Sequence, residues 1–195
     1  MKKHGMMGIG ALIIFIALIL VAAIAAAVLI TTGGSLQQKA LVTGVQTEEG
    51  VTSGIEVTNV IGSDAADATS HRIGDFKMMM RVKSGSSGLN MNNTILTIDT
   101  DDASNTRTYG GVLPTDSTTA STQNFMVYYV QYGPNYQPGY LNRGDTINMV
   151  FHVENEITEN QQVRLKIIPR VGQYTQVDFF TPDSMTQQNI NLWPN

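Results

Sequence analysis

The sequence predicts an α+β chain, one long N-terminal hydrophobic α-helix followed by an all-β sandwich domain. Three observations predict it. From Met6 to Gln38 there is no Asp, Glu, Lys, Arg or His, and the 25 residues from Met6 to Ile30 are apolar or small almost throughout. Beyond about residue 50 the composition turns to Thr, Ser, Asn, Gln and Gly, interrupted by short runs that alternate apolar and polar side chains. Cysteine is absent, and charged residues make up 14% of the 195, against the ~25% of ordinary soluble domains.

The first element is a basic leader, Met1-Lys2-Lys3-His4-Gly5, joined directly to the apolar run. A cleaved secretory signal has an apolar stretch of about 7 to 15 residues, so this run is too long for one. At ~1.5 Å rise per residue it makes a helix of about 37 Å, enough to cross a ~30 Å hydrocarbon core. Lys2 and Lys3 precede the run and no basic cluster follows it closely, so the positive-inside rule keeps the leader cytoplasmic and sends the remainder outward. An uncleaved signal anchor would have the same properties.

The order of residues at the junction goes further. Gly8-Ile9-Gly10-Ala11-Leu12-Ile13-Ile14-Phe15-Ile16-Ala17 is followed by Val21-Ala22-Ala23-Ile24-Ala25-Ala26-Ala27-Val28-Leu29-Ile30 and by Leu36-Gln37-Gln38-Lys39-Ala40. Over these roughly forty residues the chain resembles the archaeal flagellins, or archaellins. His4 stands where the family often has lysine, and Ala11 where it often has threonine. The resemblance implies cleavage between Gly5 and Met6 by a membrane aspartyl peptidase related to prepilin peptidases. That cut leaves the hydrophobic helix on the mature chain and removes Lys2 and Lys3, leaving ten basic against sixteen acidic residues, a formal balance of −6. It further implies a homopolymeric helical filament, shared with paralogous archaellins, whose core is the helix bearing Gly8, Ile9, Gly10, Leu12, Ile13, Phe15, Ile16, Leu20, Val21, Ile24, Val28 and Leu29. The subunit would be membrane-inserted before assembly and extracellular, in the flagellum, afterwards.

After Ile30 comes Thr31-Thr32-Gly33-Gly34-Ser35. On its own this reads as a helix break at the membrane surface; the resemblance favours a helix that continues to about Glu49. Each glycine costs about 1 kcal/mol against alanine, so a flexible point is expected there. At helical spacing Leu41, Val42 and Val45 share one side, and Leu36 and Ala40 another. Val51 to Val60 alternates imperfectly, as a strand, which places the boundaries at residues 1–5 (leader), 6–50 (helix) and 51–195 (outer domain).

Six further strands are expected in the outer domain, over Ile73 to Lys83, Thr94 to Asp99, Asn124 to Tyr132, Asp145 to Glu154, Val163 to Pro169 and Tyr174 to Phe180. Phe76, Met78, Met80 and Val82 share one face; so do Ile147, Met149, Phe151 and Val153, and likewise Val163, Leu165 and Ile167. Ser84 to Gly88, Asp99 to Pro114 and Gly133 to Gly139 carry turn chemistry. Short strands at this spacing argue for one β-sandwich with its own core, and the archaellin resemblance implies an immunoglobulin-like domain. With no cysteine, no disulfide supports it.

Asn92-Asn93-Thr94 is the single Asn-x-Ser/Thr sequon; it follows a turn region, and glycosylation is frequent among archaellins, which points to Asn92 as a glycan site. The acidic turn with Asp99, Asp101 and Asp102 offers hard oxygen ligands of the kind Ca²⁺ accepts. It lacks the glycine and terminal glutamate of an EF-hand, and a solvated turn is the plainer reading. No other cofactor is implied. Enzyme signatures are missing: there is no Gly-x-Ser-x-Gly, His-Glu-x-x-His, phosphate loop or paired cysteine. His71 reads as the opening of a strand, and His152 should face away from Phe151 and Val153, as a surface or interface histidine. The acidic balance leaves no basic patch for nucleic acid.

Two other readings share parts of this pattern. A type IV pilin-like adhesion subunit has the same processing and helix, but bacterial pilins usually carry glutamate at the fifth mature position, which here is Gly10. A monomeric, membrane-anchored β-domain that binds a surface polymer would keep Met1 to Gly5 and would not polymerise.

Overall fold

The computed structural model describes residues 3–65, 72–116 and 121–194, and the backbone alone over residues 3–7. His71 lies outside the described residues. The chain divides into two compact units, Met1–Thr47 and Glu48–Asn195.

The first unit consists of helix α1, whose full span is Lys3–Thr52. Met, Leu, Ala and Gln are good helix formers, and the many Ile and Val cost only tenths of a kcal/mol each. The flexible point expected at Gly33 and Gly34 is not a break: the helix continues through both. The polar residues around them turn their hydroxyls back on the helix. Thr31 Oγ1 donates to the Ala27 carbonyl at 2.8 Å, Thr32 Oγ1 to that of Val28 at 2.8 Å, and Ser35 Oγ to that of Thr32 at 2.9 Å. Such back-bonds let a hydroxyl sit in an apolar helix without an unsatisfied donor.

The second unit is built on strands β1 (Ile55–Gly62), β2 (Ile73–Val82), β3 (Leu89–Asn90), β4 (Ile95–Thr100), β5 (Ser104–Val112), β6 (Asn124–Gln131), β7 (Tyr140–Leu141), β8 (Thr146–Ile157), β9 (Gln162–Ile168), β10 (Thr175–Phe180) and β11 (Ile190–Trp193). Nine of them hydrogen-bond in the order β10-β9-β4-β5-β6-β8-β2-β1-β11, and β3 pairs with β7 apart. All neighbours are antiparallel except β5 and β6. The sandwich is therefore a single continuous sheet folded back over one core. Its far ends approach each other: Gln173 N–H donates to the Ser53 carbonyl at 2.9 Å, and Thr175 Oγ1 to that of Ile55 at 2.7 Å.

The core faces follow the alternation in the sequence. Phe76, Met78 and Met80 from β2 meet Ile147, Met149 and Phe151 from β8, with Leu96 and Ile98, Phe125 and Val127, and Val163, Leu165 and Ile167 joining the same cluster. In β1 the alternation is interrupted by a bulge between Val57 and Asn59. One extra residue shifts the facing by one, so Val60 joins Ile55 and Val57 inside, where the unbroken pattern would have put it outside. Val51 and Thr52, expected to open this strand, end the helix instead.

Candidate assembly surface

The residues expected to form a filament core lie on α1 with open space around them. Ile9, Leu12, Ile13, Phe15, Ile16, Leu20, Val21, Ile24, Val28 and Leu29 are 51% to 71% exposed, levels at which a helical side chain touches little beyond its own helix. Gly8 and Gly10 have no atom other than those of the adjoining helix turn within 4 Å of the position a Cβ would take. At 100° per residue these side chains point to every side of the axis, and the intervening positions are mostly Ala, Ile or Leu. Further along, Leu36, Leu41, Val42 and Val45 are also exposed. A helix apolar all round must be enclosed all round, by lipid or by protein. Gly5 and Met6 fall where the backbone is already helical.

The other predicted sites belong to the β-unit. Asn92 is exposed, in a short 3-10 turn at Met91–Asn93 that follows β3. Asp99, Asp101 and Asp102 bracket the β4–β5 turn but do not converge. Asp99 accepts from the Ser104 hydroxyl, Asp101 from the Gln162 N–H at 3.5 Å, and Asp102 from Gln161 Nε2 at 3.4 Å. Among the described residues no group of three His, Asp or Glu side chains is placed to hold a metal ion. His152 faces away from the core, as alternation requires, and its Nδ1 lies 2.7 Å from Asp75 Oδ1 on the neighbouring strand.

The β-unit also shows an outward apolar row that period-two reading did not single out. Ile95 of β4 pairs directly with Ile168 of β9, both 40% exposed, and Tyr174 stands exposed immediately before β10. Lys166 Nζ lies 5.7 Å from the centre of the Tyr174 ring. On the next rows Thr97 pairs with Lys166 and Asp99 with Arg164, whose Nε donates to Asp178 at 2.9 Å. One face thus grades from apolar to charged. The only signal in the sequence was that β4 and β9 carry apolar side chains at adjacent positions, Ile95-Leu96 and Ile167-Ile168.

The archaeal-type flagellin family model matches residues 5–179. The chain belongs to the archaeal flagellin family. Flagellin B1 of Methanocaldococcus jannaschii is 34% identical over 211 residues, spanning 97% of this chain and 95% of that one. Flagellin B2 of Halobacterium salinarum is 30% identical over 192 residues, spanning 96% and 93%. The solved archaeal flagellum of Methanospirillum hungatei shares the fold, with a TM-score of 0.70 at 17% identity over 95% of this chain and 98% of that one. So does the crystal structure of an archaeal flagellin from Methanocaldococcus jannaschii, at 0.64 and 23% over 72% and 96%. As an archaeal flagellin the chain is a structural subunit of the flagellar filament and not an enzyme. Of the three readings the sequence allowed, the family selects the first.

Proposed function

We propose that this flagellin polymerises through the helical stretch from Met6 to Ile30, after a prepilin-peptidase-like enzyme has removed Met1–Gly5 and the helix has left the membrane. The observation that carries this is a helix apolar on every side with fourteen large residues more than half exposed. Burying one such side chain is worth ~1.5 to 3 kcal/mol, so the stretch represents on the order of 20 to 40 kcal/mol. A chain alone in water cannot leave that surface bare. Lipid covers it in the precursor; neighbouring copies, together with paralogous flagellins, cover it in the filament.

Gly8, Gly10, Ala22, Ala23 and the run Ala25 to Ala27 let helix backbones approach closely, as small residues do in membrane bundles. The leader's Lys2 and Lys3 orient the precursor with its N-terminus in the cytoplasm. Once cut, the mature chain has no fixed charge before Lys39 except its new N-terminus. Asn92, exposed and in the single sequon, carries a saccharide that keeps a sparsely charged surface in solution.

A charge in the middle of the helix tests the polymerisation step. Phe15→Asp or Ile24→Asp should abolish filaments while the β-unit keeps its thermal transition, since neither residue belongs to that unit's core. Normal filaments from either variant would refute assembly through this helix. Gly5→Leu tests the processing step separately: it should leave full-length precursor in membranes.

A further inference from the structure

The sequon at Asn92 is read differently at its two ends by the folded chain. A transferase that uses Asn-x-Thr must meet both the amide it modifies and the hydroxyl two residues on. Asn92 is exposed, so a saccharide on it is compatible with the fold. Thr94 is 1% exposed. Its Oγ1 donates to the Asn90 carbonyl at 3.1 Å, and its N–H to the Met91 carbonyl at 3.1 Å.

The turn is held at several points. Asn90 Oδ1 accepts from the Asn92 N–H at 2.9 Å, and Asn90 Nδ2 donates to the Tyr140 hydroxyl at 3.1 Å. Leu89 and Asn90 pair with Leu141 and Tyr140. Between them and the sequon, Met91 is fully buried and its N–H donates to the Gly139 carbonyl at 2.9 Å. Presenting the Thr94 hydroxyl to an enzyme therefore means breaking its bonds to the Asn90 and Met91 carbonyls within a turn that buried Met91 and the β3–β7 pair hold in place. Local fluctuation of one exposed turn does not accomplish this.

We propose that Asn92 accepts its saccharide only before the β-unit folds, so that glycosylation precedes folding and cannot be added to the finished domain. The proposal rests on the reading of Asn92 as a glycan site. In the transfer, Asn92 Nδ2 attacks the anomeric carbon of a lipid-phosphate-linked saccharide. The C–N bond forms, the anomeric C–O bond breaks, the lipid phosphate leaves with the electron pair, and the amide gives up one proton to solvent. Folding then buries Thr94 and leaves the sugar outside.

The test uses the full chain in detergent, denatured in urea and diluted into folding buffer, with an archaeal oligosaccharyltransferase and its lipid-linked donor added after increasing delays. Trp193, the single tryptophan, packs against the core and reports folding by fluorescence. Occupancy, read by intact mass and assigned with Asn92→Gln, should be at least tenfold higher when enzyme is present at dilution than when it is added after the fluorescence has settled. It should decay with delay at the rate of folding. Equal occupancy at all delays overturns the proposal. No mass gain at any delay, while a short peptide containing Asn-Asn-Thr is modified in the same reaction, shows that Asn92 is not an acceptor in this chain, and removes the site and the proposal together.

Discussion

Phe76 of β2 stacks on Phe151 of β8, with ring centres 5.4 Å apart and planes 7° from parallel, at the register position where the two residues face each other across the sheet. Both are fully buried. The pair locks the two longest strands that the sequence alternation had already marked. Phe151→Ala removes a fully enclosed ring and should cost about 3 to 5 kcal/mol. Urea denaturation followed through Trp193 measures it, and a loss under 1 kcal/mol would mean that the site collapses around the deletion.

Gly172 has φ +103°, and a Cβ on it would lie 2.4 Å from the Ser53 carbonyl oxygen, the acceptor that holds Gln173. No side chain can relieve a clash with backbone. Gly172→Ala should therefore destabilise the β-unit by about 1 to 3 kcal/mol, and should do so at the closure between the two ends of the sheet. Hydrogen exchange at Gln173 N–H should rise in the variant more than exchange in β2 or β8.

Burial pushes the Tyr129 hydroxyl up to about 12 from an ordinary 10, with the neighbouring Tyr109 adding to the effect. The hydroxyl donates to the Tyr140 carbonyl at 2.5 Å and lies 3.2 Å from that of Gln137. A pKa raised by folding means that the neutral form is favoured in the folded state, so its stabilisation is complete below pH 10 and is lost as pH rises from about 10 through 12. Tyr129→Phe should flatten that part of the stability profile and cost about 1 kcal/mol at neutral pH from the lost hydrogen bond. An unchanged alkaline limb would contradict the assignment.

Glu56 and Arg81 face each other across β1 and β2, with Arg81 Nε donating to Oε2 at 3.0 Å and Nη2 to Oε1 at 3.3 Å. That hydrogen bonding, followed by the guanidinium charge, holds the Glu56 carboxyl below its ordinary 4.5. Whatever the pair contributes is present above pH 4.5 and fades as pH falls through the lowered value. In solution NMR, Glu56 should titrate below 4.5 in the native chain and return toward it in Arg81→Met or at high salt.

What could be read from the sequence followed the strength of its periodicity. The helix was legible because thirty-three residues without charge leave no other structure in a bilayer. β2, β6, β9 and β10 were legible because each buries about every second side chain, and β8 because Ile147, Met149, Phe151 and Val153 alternate on one face, although Asn148 and Val150 on the other face are buried too. β5 was taken for part of a turn: Ser104 to Val112 buries only Arg107, so it shows no apolar alternation, and its Thr, Asn and Gly residues mimic a loop. Arg107 is instead held inside by the His152 carbonyl at 3.5 Å and by Glu154 at 3.9 Å. β11 was missed because four residues, two of them half-buried, give too short a signal. The helix's continuation past Ile30 to about residue 49 came from the family resemblance and not from the local residues, because the cost of Gly33 and Gly34 is visible in sequence while the cooperative helix that outweighs it is not.

The central claim is a processed chain assembled through its exposed helix, and intact mass with N-terminal sequencing of protein sheared from cells tests it most directly. The account predicts a chain beginning at Met6, recovered in the sheared filaments, with any excess mass localised to Asn92. Full-length protein beginning at Met1 and confined to the membrane fraction would contradict it.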